Sequence, residues 1–387
     1  MPELTISRRG AQRWATGHPW IYRSDIDSTG GPASGDIVLV RDPDGRALGR
    51  AFWSEYSQIS LRRLTGDEQP VNAALFAGRI ATAAELREQL FPGETLYRAV
   101  HGEADGLPGL VVDRYGDWLS VQFLVPGTER LRDQLVAQLV DRFGCRGVVN
   151  RSDAGVRRLE GLPAERGVIH GELPAEVLVR EGGLELGLDL LAGQKTGAFL
   201  DQRENHLAAG RYARGRALDC FSYAGGFALQ MAGQADHVTA LDVSAEACAL
   251  IEANAARNGL GNLTAVCANA FDFLRAEVEA GSRYDTIVLD PPAFAKHKGA
   301  RAAGLRGYKE INLRALQLLV PGGILITASC SYHVDEPSFG EMLAEAARDA
   351  RRRVQVLERR GAARDHPVLL GMPESRYLKC WIVRVLD

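Results

Sequence analysis

From about residue 192 onward, short strands that are apolar on both faces alternate regularly with helical segments. The strand candidates are Arg216–Asp219, Val238–Asp242, Thr264–Val266, Tyr284–Asp290 and Gly323–Ser329. Helices are expected from Gly226 and over 244–258, 271–280 and 307–319. Strands of this kind fit a parallel sheet covered by helices on both sides. Ligands of such sheets gather beyond the carboxyl ends of the strands. The residues that fall there are Asp219, Asp242, Asn269, Asp290 and the pair Ser329-Cys330. The expected fold class is α/β.

The 387 residues are enough for two or three domains. Residues 1–68 read as small β structure, with alternating runs at Asp36–Val40 and Gln58–Leu64 and a hairpin turn at Asp42–Gly45. Arg8, Arg9, Arg13, Trp14, Trp20 and Arg23 suit RNA contact through charge and stacking, although tryptophans in so small a module also serve as core. A helix over 70–91 stops at Pro92-Gly93. A mixed region follows to about Leu191, with strands near 110–113, 118–124, 147–150 and 176–179 and a helix over 128–143. It carries no evident chemistry and reads as a connecting domain. The expected domains are therefore 1–68, 69–191 and 192–387.

Composition narrows the function classes. At 46% hydrophobic and 25% charged residues the chain is that of an ordinary globular protein. No apolar run approaches the ~20 residues that span a bilayer, and the first residues hold no hydrophobic signal core, so a cytoplasmic protein without membrane contact is expected. Six cysteines without CxxC spacing argue against disulfides and against a metal. The net charge of −3 excludes only indiscriminate polycation binding, because local patches decide contact with nucleic acid. Three of the five lysines lie between 296 and 309.

The first strand of the alternating region runs into Asp219-Cys-Phe-Ser-Tyr-Ala-Gly-Gly226. Adjacent glycines at a helix start let the backbone approach a ligand, but the GxGxxG fingerprint of a pyrophosphate site is absent. An acid at the second strand end, Asp242, suits ribose hydroxyls, or else caps the next helix. An acid at the first, Asp219, would repel a pyrophosphate yet can hold an amino-acid ammonium. A molecule with an ammonium at one end and a ribose at the other is S-adenosylmethionine (SAM).

These segments, with others along the chain, resemble the bacterial 23S rRNA cytosine-C5 methyltransferases of the RlmI type, which are class I SAM-dependent enzymes. The matching motifs are GHPWIYRSDI (17–26), GEADGLPGLVVDRYGD (102–117), TGAFLDQREN (196–205), DCFSYAGGFAL (219–229) and ALDVS (240–244). DPPAF (290–294), GYKEINLRAL (307–316), ASCSYHV (328–334) and DHPVLLGMPESRYLK (365–379) complete the series in family order. The resemblance implies an N-terminal PUA-like RNA-binding domain, a central α/β domain and a Rossmann-like methyltransferase domain. It implies SAM against Phe221, Ser222, Gly225 and Gly226, with Asp242 on the ribose and Gln202 and Arg203 packed over the cofactor; Lys195 is a weaker candidate. Asn269 stands where the family usually has aspartate near the adenine; its carbonyl can accept from the adenine amino group, or its amide can turn the other way.

Carbon 5 of cytosine is too weak a nucleophile to take a methyl group directly. The chemical solution is a thiolate added at C6 with a carboxyl group supporting charge at N3. Asp290 and Cys330 meet that need, since they are 40 residues apart, the length of one loop, helix and strand. Each then ends its own strand, and neighbouring strands lie ~4.8 Å apart. The polar neighbours Ser329 and Ser331 suggest a loop rather than core around Cys330. Pro291 stiffens the loop beside Asp290, and Phe294 can stack on a flipped-out base. Beyond it, Lys296, Lys298, Arg301, Arg306 and Lys309 in a glycine-rich stretch suggest a mobile positive flap for the RNA backbone. Exposed apolar helix faces would allow a homodimer. Two other readings remain: a SAM enzyme that methylates a base nitrogen without the thiol, and a non-catalytic RNA-binding adaptor.

Overall fold

The computed structural model of the chain describes residues 2–193, 196–295 and 297–387. Its packing divides the chain into two compact units. One comprises Met1–Val179, Leu188–Leu200 and Asp365–Ser375; the other comprises Arg180–Gly187, Asp201–Arg364 and Arg376–Asp387.

The first unit holds two sheets. A six-stranded sheet runs in the order Trp20–Tyr22, Ile59–Arg63, Ala47–Trp53, Ile37–Arg41, Glu3–Ile6, Ile26–Thr29, with the Asp42–Gly45 turn closing a hairpin as expected. A helix at Arg8–Ala15, capped by Ser7, was not foreseen. It turns Trp14 into the core at 4% exposure, and Arg9 and Arg13 onto the buried carboxylate of Asp25. Trp20 is half-buried and donates to Glu103, while Arg8 and Arg23 are exposed. Trp14 is thus core, and Arg9 and Arg13 are ion-paired within the module. A five-stranded sheet spans Leu96–His101 to Glu165–Gly171, and both of these end strands were missing from the expected set. Helices Ala73–Leu90 and Arg132–Phe143 supply residues to its apolar core.

The second unit is built on a seven-stranded sheet. Its strands are β1 (Arg216–Cys220), β2 (His237–Asp242), β3 (Leu263–Cys267), β4 (Tyr284–Leu289), β5 (Leu319–Ser329), β6 (Val354–Arg360) and β7 (Lys379–Val385). They lie in the order β3-β2-β1-β4-β5-β7-β6. The first five are parallel, and β7 is antiparallel to both β5 and β6. The helices are α1 (Arg203–Tyr212), α2 (Gly226–Ala232), α3 (Ala245–Arg257), α4 (Ala270–Glu279), α5 (Arg301–Leu318) and α6 (Glu336–Asp349). Two separate apolar clusters form around the sheet, one including Leu218, Leu289 and Tyr308 and the other Ala217, Val288 and Ile326. Neighbouring residues of one strand therefore enter different clusters, as alternation along a doubly covered strand requires. Because β1 pairs with both β2 and β4, the strand order reverses there, and the crevice at that switch is the usual ligand position.

The expected strands and helices of this unit are present within a few residues, with one exception. The glycine-rich stretch after Phe294 is not a mobile flap along most of its length. After a short 3-10 turn at Lys298–Ala300, it is helix α5 from Arg301, six residues earlier than expected. The glycines there provide room rather than freedom. A Cβ at Gly304 would sit 2.9 Å from the Cβ of Ala295, and one at Gly307 would sit 3.1 Å from the Phe294 ring. Both face the loop that follows Asp290. Gly304→Ala is therefore expected to destabilise by about 1–3 kcal/mol through overpacking, read as a lower urea midpoint. An unchanged midpoint would mean that the loop has slack to move away.

Candidate active site

The loop after β1 is held from three directions. The Asp219 carboxylate accepts from the Ser222 hydroxyl at 2.6 Å and from the Ala228 amide at 3.0 Å. The Ser222 amide donates to the Leu241 carbonyl of β2, and the Tyr223 amide donates to Asp242 at 2.9 Å. These bonds keep Phe221 and Tyr223 at positive φ (69° and 50°), a conformation that L residues adopt only when held in it. Gly225, at φ 86°, opens α2, and a Cβ at Gly226 would meet the His206 ring at 2.4 Å. The glycine pair is therefore required by a left-handed turn and by a ring packed beneath it.

His206 and Glu181, which the sequence reading passed over, form a buried pair at 2.7 Å. Burial by itself pulls the imidazole pKa down, but the adjacent Glu181 carboxylate outweighs it and holds the ring above its ordinary value. The only sequence signal was position, since His206 directly follows the 196–205 motif.

Asp219 is fully buried, so it shapes the turn from below, and its second oxygen has no hydrogen-bond partner among the described residues. Asp242 is half-buried; its oxygens take one backbone amide each, from Tyr223 and Ser244, and keep lone pairs for hydroxyl donors. Capping of α3 falls to Ser244, not to Asp242. Asn269 is exposed and caps α4, its carbonyl oxygen accepting from Phe271 at 2.9 Å and more weakly from Asp272 at 3.4 Å. That oxygen is committed to the helix, which leaves the amide nitrogen as the outward group. Of the two orientations expected for this side chain, the cap selects the one with the amide outward. The half-buried carboxylates Asp242 and Asp290 at the ends of β2 and β4 suit a nucleoside that carries positive charge, as SAM does.

Asp290 is half-buried directly after β4, and Cys330 is half-exposed directly after β5. The two strands are adjacent and parallel, with Leu289 opposite Thr327. Gln202 is buried and donates to Asp290 at 2.9 Å, while Asn205 donates to Gln202 at 2.6 Å. Gln202 thus orients a carboxylate, and Arg203 is buried beside it. Of the other cysteines, burial pushes the thiols of Cys145, Cys220, Cys248 and Cys380 above the ordinary value. Cys267 is exposed at the end of β3, with two strands, β2 and β1, between it and β4.

The serines beside Cys330 are not an exposed polar loop. Ser329 and Ser331 are both fully buried, and they anchor the segment. The Ser331 hydroxyl accepts from the Ala295 amide at 3.1 Å and bonds the Tyr308 hydroxyl at 2.8 Å. Their polarity marks internal hydrogen bonding around a cysteine that stays open. Phe294 is half-buried among Phe221, Phe271 and Tyr308, with ring centroids 4.7–6.5 Å away, and Pro291 is buried. Arg301 is exposed and tied to the His333 carbonyl and the Ser338 hydroxyl. Lys309 pairs with Glu345 and Asp349, so its charge is matched locally. Lys195 and Lys296 lie outside the described residues, as does the side chain of Lys298. An aromatic the sequence reading did not assign, Tyr332, is 55% exposed two residues past Cys330.

Comparison with known proteins gives the family. A PUA-like domain model matches residues 4–66, and an S-adenosylmethionine-dependent methyltransferase model matches residues 165–371. The ribosomal RNA large subunit methyltransferase I of Shewanella denitrificans is 44% identical, with 95% of each chain covered. The protein of the same name from Salmonella arizonae is 39% identical over 100% of this chain and 98% of its own. The chain belongs to the ribosomal RNA large subunit methyltransferase I family. The fold of this family member also matches a SAM-dependent methyltransferase from Streptococcus mutans, at a TM-score of 0.85 and 21% identity over the whole of both chains. A second solved methyltransferase, SMU.776, carries S-adenosylhomocysteine and matches at 0.85 and 22% over both whole chains. As a member of the family the chain is a SAM-dependent methyltransferase. Among the described residues no group of three or more His, Cys, Asp or Glu is arranged to hold a metal, and no helix is long and apolar enough to cross a membrane.

The buried acid gives a test of the turn. Burial pushes the Asp219 carboxyl up to about 7, against the Ser222 hydrogen bond and the His206 charge that pull it down. Between the unfolded value of ~3.9 and that point, the folded chain holds a proton that the unfolded chain has lost. Wild-type stability therefore falls as pH rises through the window. Asp219→Asn keeps a carbonyl acceptor and carries no charge. The melting temperature of the variant minus that of the wild type is expected to increase from about pH 5 to about pH 8. A flat or falling difference would contradict a raised carboxyl.

Proposed function

We propose that this enzyme methylates C5 of a cytosine in 23S, large-subunit, rRNA through a covalent adduct on Cys330 assisted by Asp290. The observation that carries the reading is the pairing of a half-exposed thiol and an oriented carboxylate just past two adjacent parallel strands. The relatives' printed name supports the large-subunit rRNA substrate, and the PUA-like match supports RNA contact. A cytoplasmic enzyme is the matching location.

The cofactor supplies an electrophilic methyl group on a sulfonium. Phe221, Ser222, Gly225 and Gly226 form its floor, Asp242 takes the ribose hydroxyls, and Asn269 lies at the adenine end. Asp219 acts by fixing the turn. The Cys330 thiolate adds to C6 of the base, and Asp290 holds the proton at N3, so that electron density moves to C5. After C5 gains the methyl group, a base removes the C5 proton and the C6–S bond breaks, which returns the thiolate and leaves 5-methylcytosine. Gln202 keeps the Asp290 carboxylate in one orientation throughout.

The RNA side of the site is assigned to Pro291, Phe294, Arg301, Lys296 and Lys298, with the exposed ring of Tyr332 as a further stacking surface. Base stacking on an aromatic contributes ~1–3 kcal/mol, so Tyr332→Ala is expected to raise KM for RNA roughly tenfold or more with a smaller effect on kcat. An unchanged KM would remove the residue from the RNA surface.

The deciding experiment maps 5-methylcytosine in 23S rRNA from cells carrying the wild-type gene, no gene, or Cys330→Ser. Loss of one modified cytosine in both altered strains is expected. Wild-type methylation by Cys330→Ser would exclude the adduct and favour a base nitrogen as acceptor. Absence of SAM binding to the purified chain by calorimetry would favour a non-catalytic adaptor.

A further inference from the structure

Lys379 opens β7, directly opposite Ser329 across the pairing with β5. Its side chain is almost completely enclosed, at 4% exposure. The ammonium donates to the Ser331 carbonyl at 2.8 Å and to the Tyr377 carbonyl at 2.7 Å, so it sits against the segment that carries Cys330.

A buried ammonium is costly unless an anion accompanies it. Among the described residues no carboxylate lies within ion-pair distance of Lys379. The charged or ionisable groups that act on it are the Cys330 thiol first, then Asp335 and Glu336 on the α6 side. Asp335 is exposed and caps α6 through Ser338, and Glu336 pairs with Arg376. Tyr308, from α5, bonds Ser331 through its hydroxyl and carries no charge near neutrality, since burial raises its pKa. Both carboxylates are engaged elsewhere, and among the described residues the Cys330 thiol, next to the Ser331 carbonyl that takes the ammonium, is the first group whose charge acts on the lysine.

We propose that Lys379 and Cys330 form an ammonium–thiolate pair, in which Lys379 is the positioning residue that keeps the thiol ionised before substrate arrives. The inference rests on the reading of Cys330 as the nucleophile and supplies what that reading lacked, a source of thiolate near neutral pH. Burial draws Lys379 down to about 8, with the Cys330 charge opposing the shift. The ammonium side of the pair is therefore present below about pH 8 and is lost on the alkaline side as the amine gives up its proton.

Iodoacetamide alkylation of the full-length chain, quantified on the Cys330 peptide across pH, reads the thiol directly without RNA or cofactor. In the wild type the midpoint is expected below the ordinary ~8.5 of a cysteine. Lys379→Met is expected to raise it by about one unit or more, a tenfold smaller thiolate fraction at neutral pH, and Lys379→Arg to restore it. A shared midpoint for wild type and Lys379→Met overturns the pair. Should Lys379→Met fail to fold, the reciprocal measurement decides: acetic anhydride acylation of Lys379 must titrate at lower pH in Cys330→Ala than in the wild type, and equal midpoints overturn the proposal. The two readings fail separately. Methylation by Cys330→Ser removes the covalent route while an intact alkylation shift leaves the pair standing.

Discussion

Asp219, Asp242, Asp290 and Cys330 all stand at or just beyond the carboxyl ends of strands covered on both faces, and this constraint organises the catalytic unit. Inside such a sheet most side chains belong to one apolar cluster or the other, and an unpaired charge there would be costly. Polar groups collect where the strands stop. Because β1 lies between β2 and β4, the ends of β2 and β3 fall on one side of the switch and those of β4 and β5 on the other. Strand order alone thereby puts Asp242 on one side of that crevice and Asp290 and Cys330 on the other.

Around that crevice the loops are held by networks that cost little individually and act together. Asp219, Ser222 and Asp242 fasten the turn after β1, and Ser331 ties Ala295, Tyr308 and Lys379 to the segment around Cys330. Each tie uses a buried polar atom whose alternative is an unsatisfied group, and such groups are expensive. Cys330, half-buried between two fully buried serines, is the consequence.

Several residues were legible in the linear chain and others were not, for identifiable reasons. The alternation of doubly apolar strands with helices was readable because it depends on local periodicity, and it located the strand-end acids and Cys330. Gly304 and Gly307 looked like flexibility, but they are helical and face Ala295 and Phe294 across a gap too small for a Cβ. Ser329 and Ser331 looked like exposed loop because hydroxyls are polar; their partners come from α5, from β7 and from the loop after β4, all distant in sequence. Trp14 and Asn269 each left two readings open in the linear chain. An unforeseen helix buries the first, and a helix cap engages the oxygen of the second.

What the amino-acid order determined unaided was the class of fold, the glycine turn, and the set of acids and sulfur delivered to one edge of a sheet. These follow from residue spacing, which is a property of the chain before it folds. Only the tertiary structure decided which of those groups are open and what accompanies them. His206 lies beneath the turn, Gln202 orients Asp290, and Lys379 is enclosed beside Cys330. Burial and charge partnership arise from segments far apart in sequence meeting in space, and no local pattern records that meeting.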